Sequence, residues 1–521
     1  MRGIMKGATA FLMAAMAVSA VAEDIENQPL KLEWQLPSCA TLEGNILKVK
    51  VPESKAGESQ VARAKFSMAP YLGRELAITV WCRGKNVKKA MAHWLGAKLE
   101  MSFKDAYTGE MHYPQCRMPW GDFEGEYTMV APLYGYDAKE AELILGLTQT
   151  SGEIEFDLST LRLSSNRKRF PPKNQGLKAA YSDRVRNLPR LRGAQVDPLV
   201  SEKDLDDLVA WGANFIHYQF GCFAPELGDT KNLTEMWGTL PERIAYFRAF
   251  TRRKLDYFEK NVLPWARARK MKVCVVHFGW NLEPYKKDEG YQAYKDMWVE
   301  IATRLKGNED VIYAYDLWGE PNQPMNTKYG YLDMQEDIAR AIRKVDPVTP
   351  ISIESNQADE PSAYNYLNAL DLKDIIYQVH IYQPISFTHQ GIGPARQYRA
   401  SYPQPAKDGS PAVDIEFLRK TLEPVRKFQL EHKCRIFVGE FSAVVWADGA
   451  AQYLEDVISL FEEYGWDWTY HAFREAGCWS VEYEGTDRAH RWKAKSDTDR
   501  KKVLLKWMKK NETPTSASFG E

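Results

Sequence analysis

The 521-residue sequence lacks an excess of either charge, because 69 lysines and arginines nearly balance 70 aspartates and glutamates. A chain without a strong positive field has no general electrostatic attraction for nucleic acid or for an anionic membrane surface. Beyond the first twenty or so residues it also lacks any apolar run long enough to cross a bilayer. We therefore expect no nucleic-acid partner and no transmembrane segment.

Cysteine is scarce and scattered, with seven residues in the whole chain and no CxxC pair. That count excludes a disulfide-dense scaffold, and no metal-ligand spacing such as HxH or HExxH occurs. A G-x-S-x-G element, typical of serine hydrolases, is missing as well. We expect neither a metal nor another cofactor.

The N-terminus has the pattern of a secretory signal. Arg2 and Lys6 flank the start, Ala8 to Val18 is apolar or small, and Ala20 to Ala22 has the small-x-small pattern of a cleavage site. We expect residues 1–22 to be a signal peptide, and the mature protein to be secreted or periplasmic.

Residues 23–165 follow a β pattern, in which apolar and polar residues alternate with period two over short runs such as 45–51, 76–81 and 152–158. This rhythm predicts an all-β, jelly-roll-like sandwich domain. The stretch 141–163 resembles the last strands of carbohydrate-binding modules. A purely structural sandwich is an equally open interpretation.

After a basic, proline-containing stretch at 166–188, predicted to be a linker, short apolar runs alternate with amphipathic helices over 189–510. This alternation predicts an α/β fold, a (β/α)₈ TIM barrel, whose active site would lie at the carboxyl ends of the strands. The Ser/Thr-rich residues 511–521 are predicted to form a flexible tail. The eight predicted strands lie near 191–196, 214–219, 272–277, 311–317, 349–354, 375–381, 434–439 and 466–472.

Two glutamates follow predicted strands of this barrel, Glu320 after the fourth and Glu440 after the seventh. Retaining cleavage of a glycoside needs one carboxyl that protonates the leaving oxygen. It also needs a second, about 5–5.5 Å away, that attacks the anomeric carbon. Two strand ends of one barrel can meet across its mouth, so the pair predicts a glycosidase.

The chain from about residue 191 to 510 resembles glycoside hydrolase family 5, the cellulase-like enzymes with catalytic carboxyls on strands four and seven. The resemblance implies that Glu320 is the acid/base and Glu440 the nucleophile. It also implies that His380 and Tyr382, in Val-His-Ile-Tyr, support the nucleophile, and that His277 lines the site.

This sequence departs from the family pattern at three positions. Gly319 stands where the family has an asparagine that binds the sugar 2-hydroxyl, and His217 stands where it has an arginine. His471 takes the place of a tryptophan that Trp479 would supply instead. We expect His217, His471, Trp479 and Asn322 to bind substrate or support the carboxyls, in a divergent member of the family.

The predicted function is hydrolysis of β-linked poly- or oligosaccharides with retention. One alternative is a weak or inactive barrel that acts as an exported glycan-binding protein. Another is a metal-assisted hydrolase built on His277, His380 and Glu440, which the missing metal-ligand spacing disfavours. The sugar, the linkage, endo or exo action and the oligomeric state stay open.

Overall fold

A computed structural model describes residues 25–71, 75–92, 94–104, 111–132, 138–166, 176–220, 238–323, 328–365, 367–392, 399–407 and 411–512. The predicted signal peptide, linker residues 167–175 and tail residues 513–521 lie outside these ranges. None of the helices within them is long and apolar enough to cross a membrane.

The N-terminal part is all β, as predicted. Its antiparallel strands form one sheet in the order β2-β3-β10-β5-β8, with β1 against β10, and a second in the order β4-β9-β6-β7. The strands are β1 (Ile25–Pro29), β2 (Ala40–Glu43), β3 (Ile46–Val51), β4 (Ser59–Ser67), β5 (Glu75–Val87), β6 (Gly96–Lys104), β7 (Met111–His112), β8 (Gly121–Pro132), β9 (Glu140–Thr148) and β10 (Gly152–Asn166).

Strand β10 illustrates why alternation produces this sandwich. Ile154 and Phe156 are fully buried in a core that both sheets share, whereas Glu155 faces outward and pairs with Lys48 of β3. The predicted run 152–158 is the first part of a longer strand, whose register against β5 shifts between Asp157 and Arg162. The sandwich thus has a core of its own.

The C-terminal part is a closed barrel of eight parallel strands in chain order, which confirms the predicted TIM barrel. Each observed strand end lies within two residues of its prediction. The strands are β11 (Arg192–Val196), β12 (Phe215–Gln219), β13 (Lys272–Val276), β14 (Ile312–Asp316), β15 (Ile351–Glu354), β16 (Ile375–Ile381), β17 (Arg435–Phe441) and β18 (Asp467–Tyr470). A small hairpin of β19 (Tyr483–Gly485) and β20 (Arg491–Lys493) follows.

Amphipathic helices connect the barrel strands and bury their apolar faces against them. The helices are α1 (Asp183–Arg186), α2 (Glu202–Ala210), α3 (Leu240–Tyr257), α4 (Leu263–Ala268), α5 (Asp288–Leu305), α6 (Tyr331–Arg343), α7 (Ile385–Thr388), α8 (Ile415–His432), α9 (Ala450–Tyr464) and α10 (Asp499–Met508). A π-helical segment, Phe258–Val262, joins α3 to α4.

Part of the predicted linker, residues 176–188, packs against the amino end of the barrel. The hydroxyl of Tyr181 donates to the carbonyl of Ile375 at 2.6 Å and accepts the backbone N–H of Arg435 at 2.8 Å, at the first residues of β16 and β17. Val185 and Leu188 are buried beside it. Residues 176–188 therefore cover apolar surface at the amino ends of the strands, away from the end where a barrel carries its active site.

Candidate active site

Three strand ends on one side of the barrel bring the predicted site residues together. Glu320 follows β14, while His380 and Glu440 lie on the adjacent strands β16 and β17 and are paired in register. All three belong to the carboxyl end of the barrel, as the prediction required.

A bulge directs Glu440 toward this cluster. Val379 pairs with Val438, but His380 pairs with Glu440, so Gly439 is passed over. A Cβ atom on Gly439 would lie 2.6 Å from the side-chain Cδ of Gln378 and 2.8 Å from Nε2 of His380. Only glycine fits, and such bulges commonly re-aim side chains beside active sites.

The two carboxylates lie close together, with His380 between them. One oxygen of each carboxylate and one ring nitrogen of His380 all lie within 4.8 Å of one another. His380 Nδ1 is 3.1 Å from Oε1 of Glu320 and 3.9 Å from Oε2 of Glu440. The side chain of Glu320 is 33% exposed and that of Glu440 only 12%. Both can therefore reach a substrate at the mouth.

The pKa values of His380 and Glu440 are set by the charged and polar groups around them. Burial lowers the pKa of His380, but the carboxylates of Glu440 and Glu320 outweigh burial and raise it to about 9. Burial raises the pKa of Glu440, but His380, His471 and the hydroxyl of Tyr382 outweigh it and hold that pKa below its usual range. At neutral pH a cationic His380 therefore faces an ionised Glu440.

Tyr382 links the nucleophile candidate to His471. Its hydroxyl donates to Oε2 of Glu440 at 2.9 Å and lies 2.8 Å from Nδ1 of His471. A phenol has one proton to donate, so His471 must be the donor to the phenol oxygen. Burial lowers the pKa of His471, although the nearby carboxyls of Glu440 and Glu320 act in the opposite direction.

His217 lies inside the barrel below the carboxylates. Its Nε2 atom is 3.1 Å from Oδ2 of Asp316, and both residues are buried. Asp316 is the last residue of β14. His217 also contributes through space to the lowered pKa of Glu440.

The structure does not bring His277 to the cluster. Its Nε2 atom lies 2.8 Å from Oγ1 of Thr251 on α3, and its ring centroid is 4.8 Å from that of Phe247. Burial and nearby Lys254 lower its pKa to about 3. His277 thus packs between β13 and the surrounding helices, because successive side chains of a strand point to opposite faces.

The two remaining predicted residues border the cluster on different sides. The ring of Trp479 lies 5.5 Å from that of His471. Asn322 lines a cavity of about 550 Å³ together with Glu320, which provides room for a ligand beside the acid/base candidate. Its other lining residues are Glu283, Pro284, Tyr285, Lys286 and Ala358.

Gly319 leaves no room for a side chain next to Glu320. A Cβ atom there would lie 2.0 Å from Cε1 of Phe278. The ring of Phe278 thus occupies the space that the asparagine expected from the family would need.

Three residues near the cluster had no motif that marked them in the sequence. The ring of His389 packs against Tyr382 and Trp479. Burial raises the pKa of Glu475 to about 8, with Glu440 contributing. Glu354 contacts the backbone of Glu320, and its place at the end of β15 is the signal that could have identified it.

The metal-assisted hypothesis needs His277, His380 and Glu440 around one ion. Glu320, His380 and Glu440 each offer one ligand atom at the cluster, but His277 packs against Thr251 and Phe247 instead.

The chain is similar to known glycoside hydrolases. The family model described as cellulase, glycosyl hydrolase family 5, matches residues 182–477. Endoglucanase C of Acetivibrio thermocellus and endoglucanase C307 of Clostridium sp. (strain F1) are each 24% identical over 310 residues, which cover 53% of this chain and 84% of the relative. Solved structures of Thermotoga maritima Cel5A in complex with cellobiose include one with 18% identity, a TM-score of 0.46, and coverage of 61% of this chain and 98% of that one.

Proposed function

The chain belongs to the cellulase family, glycosyl hydrolase family 5, and from this premise we propose that it cleaves β-linked glucan with retention, using Glu440 as nucleophile and Glu320 as acid/base. It is a glycosidase that hydrolyses O-glycosyl bonds. The observation that carries the proposal is the pair of carboxylates whose nearest oxygens lie within 4.8 Å. Inverting enzymes hold theirs about 6.5–9.5 Å apart to admit a water.

In the first step Glu440 attacks the anomeric carbon while Glu320 donates a proton to the glycosidic oxygen. The bond from carbon to the leaving oxygen breaks, and a glycosyl ester forms on Glu440. The lowered pKa of Glu440 keeps this nucleophile ionised.

In the second step Glu320, now a carboxylate, takes a proton from water, and the resulting hydroxide equivalent attacks the same carbon. The ester bond breaks and Glu440 returns to its ionised form. Two inversions at one carbon leave its configuration unchanged.

His380 and Tyr382 support both steps. The His380 cation touches Glu320 and faces Glu440, so it tempers repulsion between two carboxylates that would otherwise disfavour each other's charge. The Tyr382 hydroxyl orients Glu440 through its bond to Oε2. A purely glycan-binding barrel would have no need of this trio.

We further propose that the enzyme acts outside the cytoplasm, where polymeric glucan is found. This proposal rests on the signal-like pattern of residues 1–22.

The test is reducing-end release from a panel of β-glycans and aryl β-glycosides. Glu440→Gln should abolish turnover, and Glu320→Gln should lower it about 10²–10⁴-fold on unactivated substrates. Glu336→Gln, on the exposed side of α6, is the matched control and should behave as wild type. NMR of the first product should show the β anomer. Wild-type activity in Glu440→Gln, or release of the α anomer, would contradict the assignment.

A further inference from the structure

The backbone of Glu320 has an unfavourable conformation. Its φ angle is +53°, in the left-handed region that non-glycine residues seldom occupy. Such a conformation persists only where surrounding contacts impose it, and it is found often at functional sites. The residues that impose it here are therefore of interest.

Three hydrogen bonds tie residues 320–323, which we call the acid/base loop, to the segment after β15. The N–H of Glu320 donates to Oε2 of Glu354 at 2.6 Å. The N–H of Gln323 donates to Oδ1 of Asn356 at 2.9 Å, and that of Ala358 donates to the carbonyl of Pro321 at 3.0 Å. Two of the three acceptors belong to the segment that begins at Glu354.

This segment is itself held in an unusual shape. Gln357, Ala358 and Asp359 have φ angles of 60°, 56° and 59°. The backbone N–H and the hydroxyl of Ser355 both donate to Oδ1 of Asp359, at 2.6 and 2.8 Å. Consecutive left-handed residues, braced in this way, form a rigid support against the acid/base loop.

Glu354 is the contact that reaches Glu320 itself, and it is fully buried. Its other oxygen, Oε1, accepts a hydrogen bond from Nε2 of Gln378 and lies 4.0 Å from Nε2 of His380. Burial and the nearby Asp316 raise the pKa of Glu354 well above its usual range. A carboxyl is costly to bury, so a purely structural role would be served better by an apolar residue.

We propose that Glu354 is a positioning residue for the acid/base: it fixes the left-handed backbone of Glu320 and thereby aims that carboxyl at the glycosidic oxygen. The inference rests on the proposed function of Glu320. Glu354 touches no reacting atom, so its effect must pass through Glu320.

The effect should depend on the leaving group. A phenol leaves poorly and needs the proton of a well-aimed acid, whereas 2,4-dinitrophenol leaves readily without it. Misplacing Glu320 should therefore lower kcat/KM for substrates with a phenol leaving group and change kcat/KM little for substrates with a 2,4-dinitrophenol leaving group. A general loss of folded protein would slow both equally.

The experiment compares kcat/KM for phenyl and 2,4-dinitrophenyl β-cellobioside in wild type, Glu354→Leu and Glu354→Gln. Glu354→Leu should lose about 10²-fold on the phenyl substrate and only a few-fold on the dinitrophenyl one. Glu354→Gln should stay within a few-fold on both. Its amide oxygen can accept the N–H of Glu320. Its NH₂ then faces Gln378, whose Oε1 has no partner among the described residues and can accept that NH₂ once the Gln378 amide turns over.

Ser352→Ala is the matched control, two residues earlier on β15 and equally buried. It should match wild type on both substrates. Equal losses on both substrates in Glu354→Leu, or no loss, would overturn the inference. Wild type that cleaves neither substrate would count against the proposed function instead. Crystal structures of wild type and Glu354→Leu would then decide the inference by whether the carboxyl of Glu320 moves.

Discussion

Among single residues, His380 has the positive charge that influences the ionisation of the carboxyls around it. It lies within 4.0 Å of three carboxyl groups, those of Glu320, Glu354 and Glu440. Its pKa of about 9 keeps it protonated at neutral pH. Because opposite charges favour each other's ionised forms, the same contact that raises the pKa of His380 lowers that of Glu440.

Replacing this cation should shift the acidic limb of the activity profile. Glu440 must be ionised to attack, so activity falls as pH drops through its pKa. His380→Gln removes the largest influence that lowers this pKa, so the limb should move to higher pH by at least about one pH unit. The measurement is kcat/KM against pH, with exposed His490→Gln as the control. An unmoved limb in His380→Gln would contradict the coupling.

Sequence reasoning succeeded at residues whose strand and face it could assign, and failed where the face was ambiguous. Glu440 was predicted from its place at a strand end, and His380 and Tyr382 from the resemblance to family 5; the structure brings the three together. His277 also ends a strand, but its side chain points to the helices, and one position of offset decides between the two faces. Glu354 was missed although it ends a predicted strand, because its hydrogen bond to Glu320 depends on a backbone angle that no residue pattern specifies.

For the secondary-structure elements, the barrel strands were predictable and one helix start was not. Strands that are buried on both faces read as short continuous apolar runs, and all eight appear in the sequence. The helical pattern in the sequence is clear over 254–270, whereas helix α3 begins earlier, at Leu240, after a capping box of Thr239 and Glu242. The helix continues through the π-helical segment into α4, and this segment breaks the 3.6-residue period. The sequence pattern therefore does not show that α3 and α4 are continuous.

The amino ends of β17 and β18 are joined by a buried ion pair. Arg435 Nε donates to Oδ2 of Asp467 at 2.7 Å, and both side chains are 1% exposed. Asp467 also accepts the hydroxyl of Tyr313 and the N–H of Leu191. These contacts lie at the end of the barrel opposite the carboxylates.

Removing one partner should destabilise the barrel strongly. Asp467→Ala leaves a buried guanidinium without its counter-charge, which costs about 3–5 kcal/mol of the free energy of unfolding. Urea denaturation measures this loss. Glu300→Ala, which breaks an exposed pair with Arg252, should cost no more than about 1 kcal/mol. Similar losses in the two variants would show that the buried pair has no special weight.

In the molecule as a whole, the described residues form two large hydrophobic cores that share no member. One fills the sandwich and the other surrounds the barrel strands. Each core is built from residues of one part of the chain, as the change of sequence rhythm near residue 166 predicts. The domain boundaries at 165 and 189 stay predictions.

Separate cores predict separate unfolding. Phe156 is fully buried in the sandwich and Leu418 in the barrel. Phe156→Ala should lower the sandwich stability by about 3–5 kcal/mol and Leu418→Ala the barrel stability by about 2–5 kcal/mol, through lost burial and the cavities left behind. Scanning calorimetry of the full chain should show two transitions, with each variant lowering the midpoint of a different one.

Measuring glucan hydrolysis against temperature identifies which of the two unfolding transitions belongs to the barrel. Because the carboxylates lie on the barrel, glucan hydrolysis should disappear at the temperature of the transition that Leu418→Ala lowers, and Phe156→Ala should leave that temperature unchanged. A single transition that both variants lower equally would mean that the two cores unfold as one cooperative unit. The sandwich would then be a structural support for the barrel and not an independent module, which is the interpretation that its strand rhythm alone leaves open.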